Sequence, residues 1–383
     1  MELYVHIPFC VKKCRYCSFV SFAGREAYID EYISLLIKEA ESRLAECSEP
    51  VRTIYIGGGT PSLIPAESFR RLMKELMRLL PLKDTEEFTV EANPGILSDE
   101  WLRAAIAYGA NRLSVGMQAK QDHLLKSLGR IHCFNDVQDS VRLARKAGIT
   151  NLNLDLMFGI PGQTIDQWKE TLQAALSLQP EHISAYGLIP EENTPIWNDL
   201  QKGILTLPDP EEEREMYDIA IHMLAEAGLN QYEISNFAVS HMECRHNIGY
   251  WQLVPYLGLG VSAASMLSLR FGRDGMRYMR RVNPSTPEEY RTVVEHPELR
   301  EADEQIGPAE ARFETMMLGL RMNMGVEEKK FFSCHNVQMQ DIYGKKLAKM
   351  QLEGLMQEKD GYWMLTRRGF DIQNSILVEL MDE

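Results

Sequence analysis

The chain has 383 residues, 45% of them hydrophobic, and a formal net charge of −14 at pH 7. We expect this length to bury one large core plus a smaller appended unit. No apolar run approaches the roughly 20 residues of a membrane-spanning helix and no leader-like segment precedes the first predicted strand, so we expect a cytoplasmic protein. The acidic charge argues against nucleic acid or anionic lipid as a partner.

The first 190 residues or so alternate short β-branched runs with longer amphipathic stretches, which is the rhythm of βα units. The predicted strands cover residues 3–7, 53–56, 87–91, 112–116, 151–158 and 182–188, and the clearest helices cover residues 27–44 and 66–79. This pattern predicts an α/β fold with a partial (β/α)6 barrel rather than a closed barrel of eight strands. The chemistry is expected in loops at the carboxyl ends of the strands.

The second half of the chain is less regular. A charged helix is predicted over residues 211–227, followed by Gly-rich and Arg-rich loops as far as Pro284. Helices over residues 309–321 and 340–353, a hairpin near Asp360 and Gly361, and a helix opened by Thr366 then predict a small α+β module of winged-helix type. We divide the chain into a core (1–235), a connecting region (236–300) and this module (301–383).

The seven cysteines fall into two groups. Four are single in the sequence: Cys47, Cys133, Cys244 and Cys334. The other three, Cys10, Cys14 and Cys17, lie within eight residues directly after the first predicted strand. This grouping indicates a metal site in a reducing compartment rather than a disulfide framework.

Three thiolates favour an iron-sulfur cluster, zinc or copper(I). A structural zinc ion would require a fourth ligand, whereas a four-iron cluster held by Cys10, Cys14 and Cys17 leaves one iron open for another molecule. A zinc site that borrows a distant cysteine and a set of three unliganded thiols are the alternatives at this point.

The spacing Cys-x3-Cys-x2-Cys, with the aromatic Tyr16 before the last cysteine, resembles the signature of the radical S-adenosylmethionine (SAM) superfamily. The resemblance implies a 4Fe-4S cluster on Cys10, Cys14 and Cys17 whose open iron binds the amino and carboxylate groups of SAM. It also implies that Tyr16 lies against the adenine of SAM, although a packing role at the rim of the barrel is the alternative.

A glycine run, Gly57-Gly58-Gly59-Thr60-Pro61, follows the second predicted strand. Glycines let the backbone approach a ligand closely, but a simple tight turn has the same composition. In the resembled superfamily such a run receives the amino group of SAM, which implies this role for Gly58, Gly59 and Thr60.

Four further polar residues follow later strands in phrases that resemble one branch of the same superfamily: Glu91, Gln118, Arg130 and Asp155. Each has an ordinary alternative as a cap or ion-pair partner. Carboxylates in apolar strands are costly unless they are paired, so Glu91 and Asp155 are the least expected by chance. The resemblance implies that these four residues and Tyr4 contact SAM.

These phrases, with Tyr4-Val-His-Ile-Pro-Phe-Cys10, are similar to the family that contains oxygen-independent coproporphyrinogen III oxidase and a related haem chaperone. The oxidase carries a further cysteine where this chain has Phe19, and it has a longer segment before its first strand. The phrase His246-Asn247-Ile-Gly-Tyr250-Trp251 matches one associated with the haem-binding members. The resemblance therefore implies the chaperone branch, with haem or porphyrin as ligand and a haemoprotein as client.

A histidine imidazole ligates haem iron, and neighbouring aromatic rings offer flat apolar faces to the macrocycle. We therefore predict His246 as a haem ligand, with Cys244 as an alternative ligand. The other interpretation is that His246 has a hydrogen-bonded structural role. A dense basic segment offers partners for haem propionates, or else surface ion pairs: Arg270, Arg273, Arg277, Arg280 and Arg281. A histidine that commonly follows the Gly-x-Gly-Ala stretch of the family phrase at residues 258–265 is absent here.

Two alternative functions stay open. One is oxygen-independent coproporphyrinogen III oxidase, in which the adenosyl radical starts oxidative decarboxylation of propionates. The other is a different radical SAM enzyme that acts on a tetrapyrrole. A homodimer and a transient membrane-protein client are open alternatives among the partners.

Overall fold

The structure is a computed structural model that describes residues 1–43, 46, 49–272 and 275–381, with the backbone alone described for residues 268–271. Cys47, Arg273 and the side chain of Arg270 lie outside the described residues. None of the helices in the described part of the chain combines the length and the apolar character that crossing a bilayer requires.

Strands and helices alternate through the first half of the chain. The strands are β1 (Glu2–Ile7), β2 (Phe9–Cys10), β3 (Phe22–Ala23), β4 (Thr53–Gly58), β5 (Glu87–Ala92), β6 (Arg112–Gln118), β7 (Asn151–Phe158), β8 (His182–Gly187), β9 (Asn230–Gln231), β10 (Asn236–Ala238), β11 (Tyr256–Leu259), β12 (Ala264–Gly272), β13 (Gly275–Val282), β14 (Glu304–Ile306), β15 (Val326–Glu327), β16 (Met356–Lys359) and β17 (Tyr362–Leu365). The α-helices are α1 (Ile29–Ser42), α2 (Ala66–Leu79), α3 (Asp99–Ala107), α4 (Asp122–Ser127), α5 (Phe134–Ala147), α6 (Ile165–Ser177), α7 (Pro195–Gln201), α8 (Pro210–Glu226), α9 (Arg245–Trp251), α10 (Pro287–Glu295), α11 (Pro308–Gly319), α12 (Glu328–His335), α13 (Met339–Leu352), α14 (Arg367–Asp371) and α15 (Gln373–Met381).

The main sheet contains twelve strands in the order β14-β13-β12-β11-β1-β4-β5-β6-β7-β8-β10-β9. Its centre, from β1 to β8, is parallel and follows chain order, and a helix separates each of these strands from the next. The described strands do not close the sheet into a ring, because β9 and β14 are its two edges. The predicted partial (β/α)6 barrel is confirmed, and all carboxyl ends of its parallel strands meet at one rim.

The two faces of the central strands differ in polarity. Residues such as Val5, Ile56 and Leu154 point outward and are fully buried in the core beneath the helices. The residues that alternate with them include Tyr4 and Asp155, which point to the inner face because neighbouring residues of a strand face opposite sides. Parallel sheets covered on both faces are normally apolar throughout. A polar inner face is instead typical of a barrel interior that binds a ligand.

The prediction of irregular loops as far as Pro284 is wrong for part of that region. Strands β12 and β13 form an antiparallel hairpin there, and β11 extends the sheet beside β1. In β13 the side chains of Met276 and Tyr278 are buried while Arg277 is exposed. An antiparallel strand needs only one apolar face to pack on the core. Because arginines lie on and near the other face, the alternation of apolar and polar residues is difficult to recognise in the sequence.

The C-terminal module contains its own core and a three-stranded antiparallel sheet in the order β15-β17-β16. Asp360 and Gly361 both have positive φ, 55° and 85°, as a two-residue turn of type I′ requires. The hydroxyl of Thr366 accepts a hydrogen bond from the backbone N–H of Gly369 and so caps α14. The smaller C-terminal unit is confirmed, while the boundaries at residues 235 and 300 stay predictions.

We expect Gly325→Ala to destabilise the C-terminal module far more than Gly354→Ala does. Both glycines have positive φ, 69° and 71°, so alanine is strained at either position, at a cost of about 1 kcal/mol. A Cβ on Gly325 would also lie 2.0 Å from the carbonyl oxygen of Trp363, whereas a Cβ on Gly354 meets nothing within 4 Å. The clash adds about 2 kcal/mol, measured as the difference in unfolding free energy by urea denaturation. Equal losses would contradict the packing described here.

Candidate functional site

The three clustered cysteines stand at the rim where the parallel strands end. Cys10 lies on β2, directly beyond β1, and the β2–β3 pairing closes the loop that carries Cys14 and Cys17. All three are partly exposed free thiols. Within the described residues, no three His, Cys, Asp or Glu side chains form a group that could hold a metal ion. Thiolates are the protein ligands of iron-sulfur clusters, in which each binds a different iron atom, so the donor set fits such a cluster.

A continuous chain of hydrogen bonds connects two of these thiols. The hydroxyl of Thr60 donates to Cys10 Sγ at 3.7 Å, and Asn93 Nδ2 donates to Thr60 Oγ1 at 2.7 Å. On the other side, Arg130 Nη2 donates to Asn93 Oδ1 at 2.7 Å, and its Nη1 donates to Cys14 Sγ at 3.5 Å. Donors aimed at sulfur favour the negative charge of a thiolate and of a reduced cluster.

Asn93 belongs to this hydrogen-bond chain and was not predicted from the sequence. Asn93 stands two residues after Glu91 in the segment Val-Glu-Ala-Asn-Pro. The available signal was its position just beyond the end of β5, where a loop residue reaches the same rim as the cysteine loop. Cys14, Thr60, Asn93 and Arg130 line one small pocket together, which is the arrangement that the strand ends predict.

The glycine run brings bare backbone close to the cysteine loop. Gly58 has φ of +110°, and a Cβ there would lie 2.4 Å from the ring of His6. A Cβ on Gly59 would lie 2.7 Å from the carbonyl oxygen of Phe9. Since any side chain would collide, both positions require glycine for this approach. A binding role for this run stays a prediction.

Glu91 is held at the inner rim by two donors. The hydroxyl of Tyr55 donates to Glu91 Oε1 at 2.7 Å, and the backbone N–H of Gly58 donates to Oε2 at 3.0 Å. Burial, assisted by the nearby Asp155 carboxylate, raises the pKa of Glu91 to about 7. Glu91 therefore ties β5 to the glycine run and exchanges a proton near neutral pH.

Asp155 and Gln118 occupy the neighbouring strand ends. Asp155 accepts hydrogen bonds from Ser114 at 3.0 Å and from Asn153 at 2.8 Å, and burial raises its pKa. Gln118 is buried and has φ of +63°, next to a register shift between Gly116 and Gln118. A strained residue at the end of a strand is typical of a binding site, because the surrounding structure must hold it there.

Of the two predicted tyrosines, Tyr4 lies on β1 and Tyr16 lies within the cysteine loop. Tyr4 donates to Nδ1 of His6 at 2.9 Å, because Nε2 of that ring donates to the carbonyl of Val20 at 2.8 Å. This connects the interior of β1 to the end of the cysteine loop. Tyr16 packs against the apolar cluster that contains Leu125 and Ile160. Both tyrosines therefore border the site.

The structure places His246 at the opposite end of the barrel. Its Nδ1 is 2.8 Å from the hydroxyl of Thr53, the first residue of β4, and its Nε2 is 2.8 Å from the hydroxyl of Tyr250. The imidazole is buried, and burial with the nearby positive charge of Arg112 lowers its pKa to about 3. Direct ligation of haem iron by His246 would require one of these hydrogen bonds to break, and it stays a prediction.

The arginines predicted as propionate partners are engaged in ion pairs where their side chains are described in detail. Arg281 binds both carboxylate oxygens of Asp303 at 2.6 Å, and Arg280 binds Glu314 at 2.5 Å and Glu304 at 3.3 Å. Cys244, the alternative haem ligand, is buried and donates to Glu87 Oε1 at 3.4 Å. These contacts favour ion pairs and a structural thiol over direct roles in binding.

We expect the proton on Glu91 to make the unfolding free energy depend on pH. The folded pKa of about 7 lies above the ordinary value of 4.5, so between these values the folded protein keeps a proton that the unfolded chain has released. The unfolding free energy therefore falls by about 3 kcal/mol as pH rises through this window. Glu91→Gln should remove that fall, as measured by urea denaturation without SAM at pH 5 and pH 8. The exposed control Glu226→Gln should keep it, and an unchanged pH profile in Glu91→Gln would refute the assignment.

Family models match two parts of the chain: the radical SAM superfamily at residues 4–175 and the HemN C-terminal domain at residues 306–372. The chain is 37% identical over 383 residues to the heme chaperone HemW of Bacillus subtilis, covering 99% of each protein. It is 31% identical over 379 residues to the heme chaperone HemW of Escherichia coli, covering 98% of this chain and 97% of that relative.

A solved structure shows the same architecture. Coproporphyrinogen III oxidase (HemN) from Escherichia coli matches with a TM-score of 0.82 and 24% identity, covering 100% of this chain and 89% of that one. At this identity the likeness shows the fold alone. The curated relatives extend along nearly the whole sequence, so the chain belongs to the radical SAM superfamily and, within it, to the family of the heme chaperone HemW, a membership that implies a 4Fe-4S cluster and SAM.

Proposed function

We propose that this protein is a haem chaperone that binds haem and passes it to a client haemoprotein. The carrying observation is the similarity to curated heme chaperones over 99% of both chains. The site supports it, because cysteine ligands, glycine run and polar strand ends all lie at one rim of the partial barrel. There, Cys10, Cys14 and Cys17 hold the cluster, and the cluster supplies the open iron for SAM.

The residues around the cluster have separate tasks in this proposal. Thr60 and Arg130 donate to the sulfur atoms of Cys10 and Cys14, and Asn93 joins Thr60 to Arg130. The backbone of Gly58 and Gly59, which lies against the cysteine loop, would receive the amino end of SAM. The side chains of Glu91, Gln118 and Asp155 offer polar groups to the other parts of the SAM molecule.

A second requirement is a surface for haem. Beside β1, a cavity of about 380 Å³ is lined chiefly by aromatic and apolar side chains, which suit the faces of a macrocycle. Its wall includes Tyr4, Tyr250, Tyr256, Met266 and the ion pair of Arg280 with Glu314. Tyr4 also reaches the cysteine loop through His6, so it would connect this cavity to the SAM site.

The test is a haem titration of the anaerobically reconstituted full chain, followed by transfer to an apo-haemoprotein. We expect a shifted Soret band at micromolar haem and the appearance of the acceptor's spectrum. Absence of binding at that concentration would overturn the proposal.

The same preparation, reduced and supplied with SAM and coproporphyrinogen III, tests the oxidase alternative by mass spectrometry, and vinyl products would establish it. The presence of Phe19 in place of the oxidase's additional cysteine leads us to expect none. Cytoplasmic location, a homodimer and a membrane-protein client stay predictions.

A further inference from the structure

A second cavity, of about 780 Å³, lies between the end of β13, helix α10 and the segment that leads into β14. Among the described residues, its wall contains none from the parallel strands β1 to β8 and none from the cysteine loop. Arg280 also lines the cavity beside β1, and the other described wall residues differ between the two. The second cavity is therefore separate from the site at the rim.

Part of the wall of this second cavity is apolar and faces water. Val282 at the end of β13 and Leu299 in the turn at Pro297–Leu299 both line it, and each is 61% exposed. Val293 and Pro284 belong to the same wall. Exposed aliphatic side chains that share one concave surface are typical of a ligand site, because a ligand would remove them from water.

The guanidinium group of Arg300 lies in the same wall without an acceptor. Its Nε is buried and has no hydrogen-bond partner, and the group forms no ion pair within the described residues. Arg281, also in the wall, shows the contrast, because it binds both carboxylate oxygens of Asp303 and one of Glu46 at 2.6 Å. Buried polar atoms are nearly always paired, so the free Nε of Arg300 indicates a place for a ligand oxygen.

The groups around Arg300 leave its positive charge poorly compensated. Burial and the positive charges of Arg281 and Arg43 lower its pKa, against the smaller opposing effects of Glu39 and Glu46. An arginine remains protonated despite such a shift. An anionic group bound to Arg300 would therefore relieve the repulsion among the three arginines.

The acidic residues of the wall limit the charge that a ligand can carry. Five of them line the cavity: Glu288, Glu289, Glu301, Asp303 and Glu304. Such a wall repels a phosphate dianion or a polyphosphate more strongly than an anion with one charge. A carboxylate carries one charge, and its two oxygens match the planar fork of one guanidinium group. The cavity therefore favours a carboxylate over a phosphate.

We propose that this cavity binds a small aliphatic monocarboxylate, with its carboxylate on Arg300 and its hydrocarbon chain against Val282 and Leu299. Such a ligand pairs the free nitrogen and covers the exposed aliphatic side chains at the same time. It would also hold the end of β13 against the segment that leads into β14, and so stabilise the folded chain. The proposal does not depend on the haem-carrying function, because the two sites have different walls.

The test titrates the reconstituted full chain with pentanoate and with its uncharged counterpart pentanamide, at constant ionic strength. We expect calorimetry to show pentanoate binding at millimolar concentrations, and the melting temperature to rise as pentanoate is added. Pentanamide should bind about tenfold more weakly, because it lacks the charge. Arg300→Met should reduce the affinity for pentanoate by about tenfold. The control Arg103→Met, which removes an exposed arginine on α3, should leave it unchanged.

Three results would overturn the proposal: no binding of pentanoate beyond that of chloride, equal affinity in Arg300→Met and the unmodified protein, or inorganic phosphate that binds as tightly as pentanoate. If Arg300→Met folds poorly, as judged by circular dichroism, Leu299→Asp takes its place. Leu299 is exposed, so the fold should tolerate the change, while the new carboxylate repels the ligand. Leu299→Asp should weaken pentanoate binding about tenfold, and an undiminished affinity would contradict the site.

Discussion

Replacing Cys14 with alanine is expected to leave the purified protein without its iron-sulfur cluster after anaerobic reconstitution. Three thiolates are available at the rim, so the loss of one leaves two protein ligands for a cluster that already has one open iron. Cys14 also anchors one end of the hydrogen-bond chain through Arg130. The visible absorption of the cluster should disappear, and iron analysis should fall to background.

The matched control for this experiment is Cys334→Ala. Cys334 is likewise a partly exposed free thiol, but it lies on α12 in the C-terminal module. The control should reconstitute as fully as the unmodified protein. The assignment would fail if the unmodified protein stayed colourless and iron-free, or if the cluster survived when all three rim cysteines were changed to alanine.

Arg130→Met is expected to weaken SAM binding at least tenfold, measured by equilibrium dialysis of the reconstituted protein. The guanidinium group donates to Cys14 Sγ, to Asn93 Oδ1 and to the carbonyl oxygen of Gly116 at 2.8 Å. Methionine fills a similar volume but leaves the two oxygen acceptors unpaired and removes a buried positive charge. A tenfold loss corresponds to about 1.4 kcal/mol, which is modest for a disrupted network.

Arg142→Met is the control for Arg130→Met. Arg142 is exposed on α5 and pairs with Asp139 on the same helix, so its replacement should leave SAM affinity unchanged because exposed pairs of this kind contribute little. An Arg130→Met protein that keeps both its cluster and its full SAM affinity would show that the network is structural scaffolding and does not shape the cofactor site.

The local sequence pattern predicted the secondary structure correctly where each element could be recognised by itself. The six parallel strands, the helix at Ala66–Leu79 and the hairpin at Asp360 and Gly361 were all recognisable from periodicity and turn residues. The rim position of Cys10, Cys14 and Cys17 also followed from sequence, because a loop after a parallel strand must emerge at the carboxyl edge of the sheet. Strand β13 was not recognised from its sequence pattern, because only part of its surface is apolar.

The sequence by itself determined the order of the βα units, the cysteine spacing and the polar residues at the strand ends. Those features depend on neighbours along the chain. Only the tertiary structure decided that Asn93 joins Thr60 to Arg130, and that His246 faces Thr53 and Tyr250 at the far end of the barrel. Such contacts join residues from different strands and loops, so they depend on the register and stagger of the sheet, which no local pattern of residues encodes.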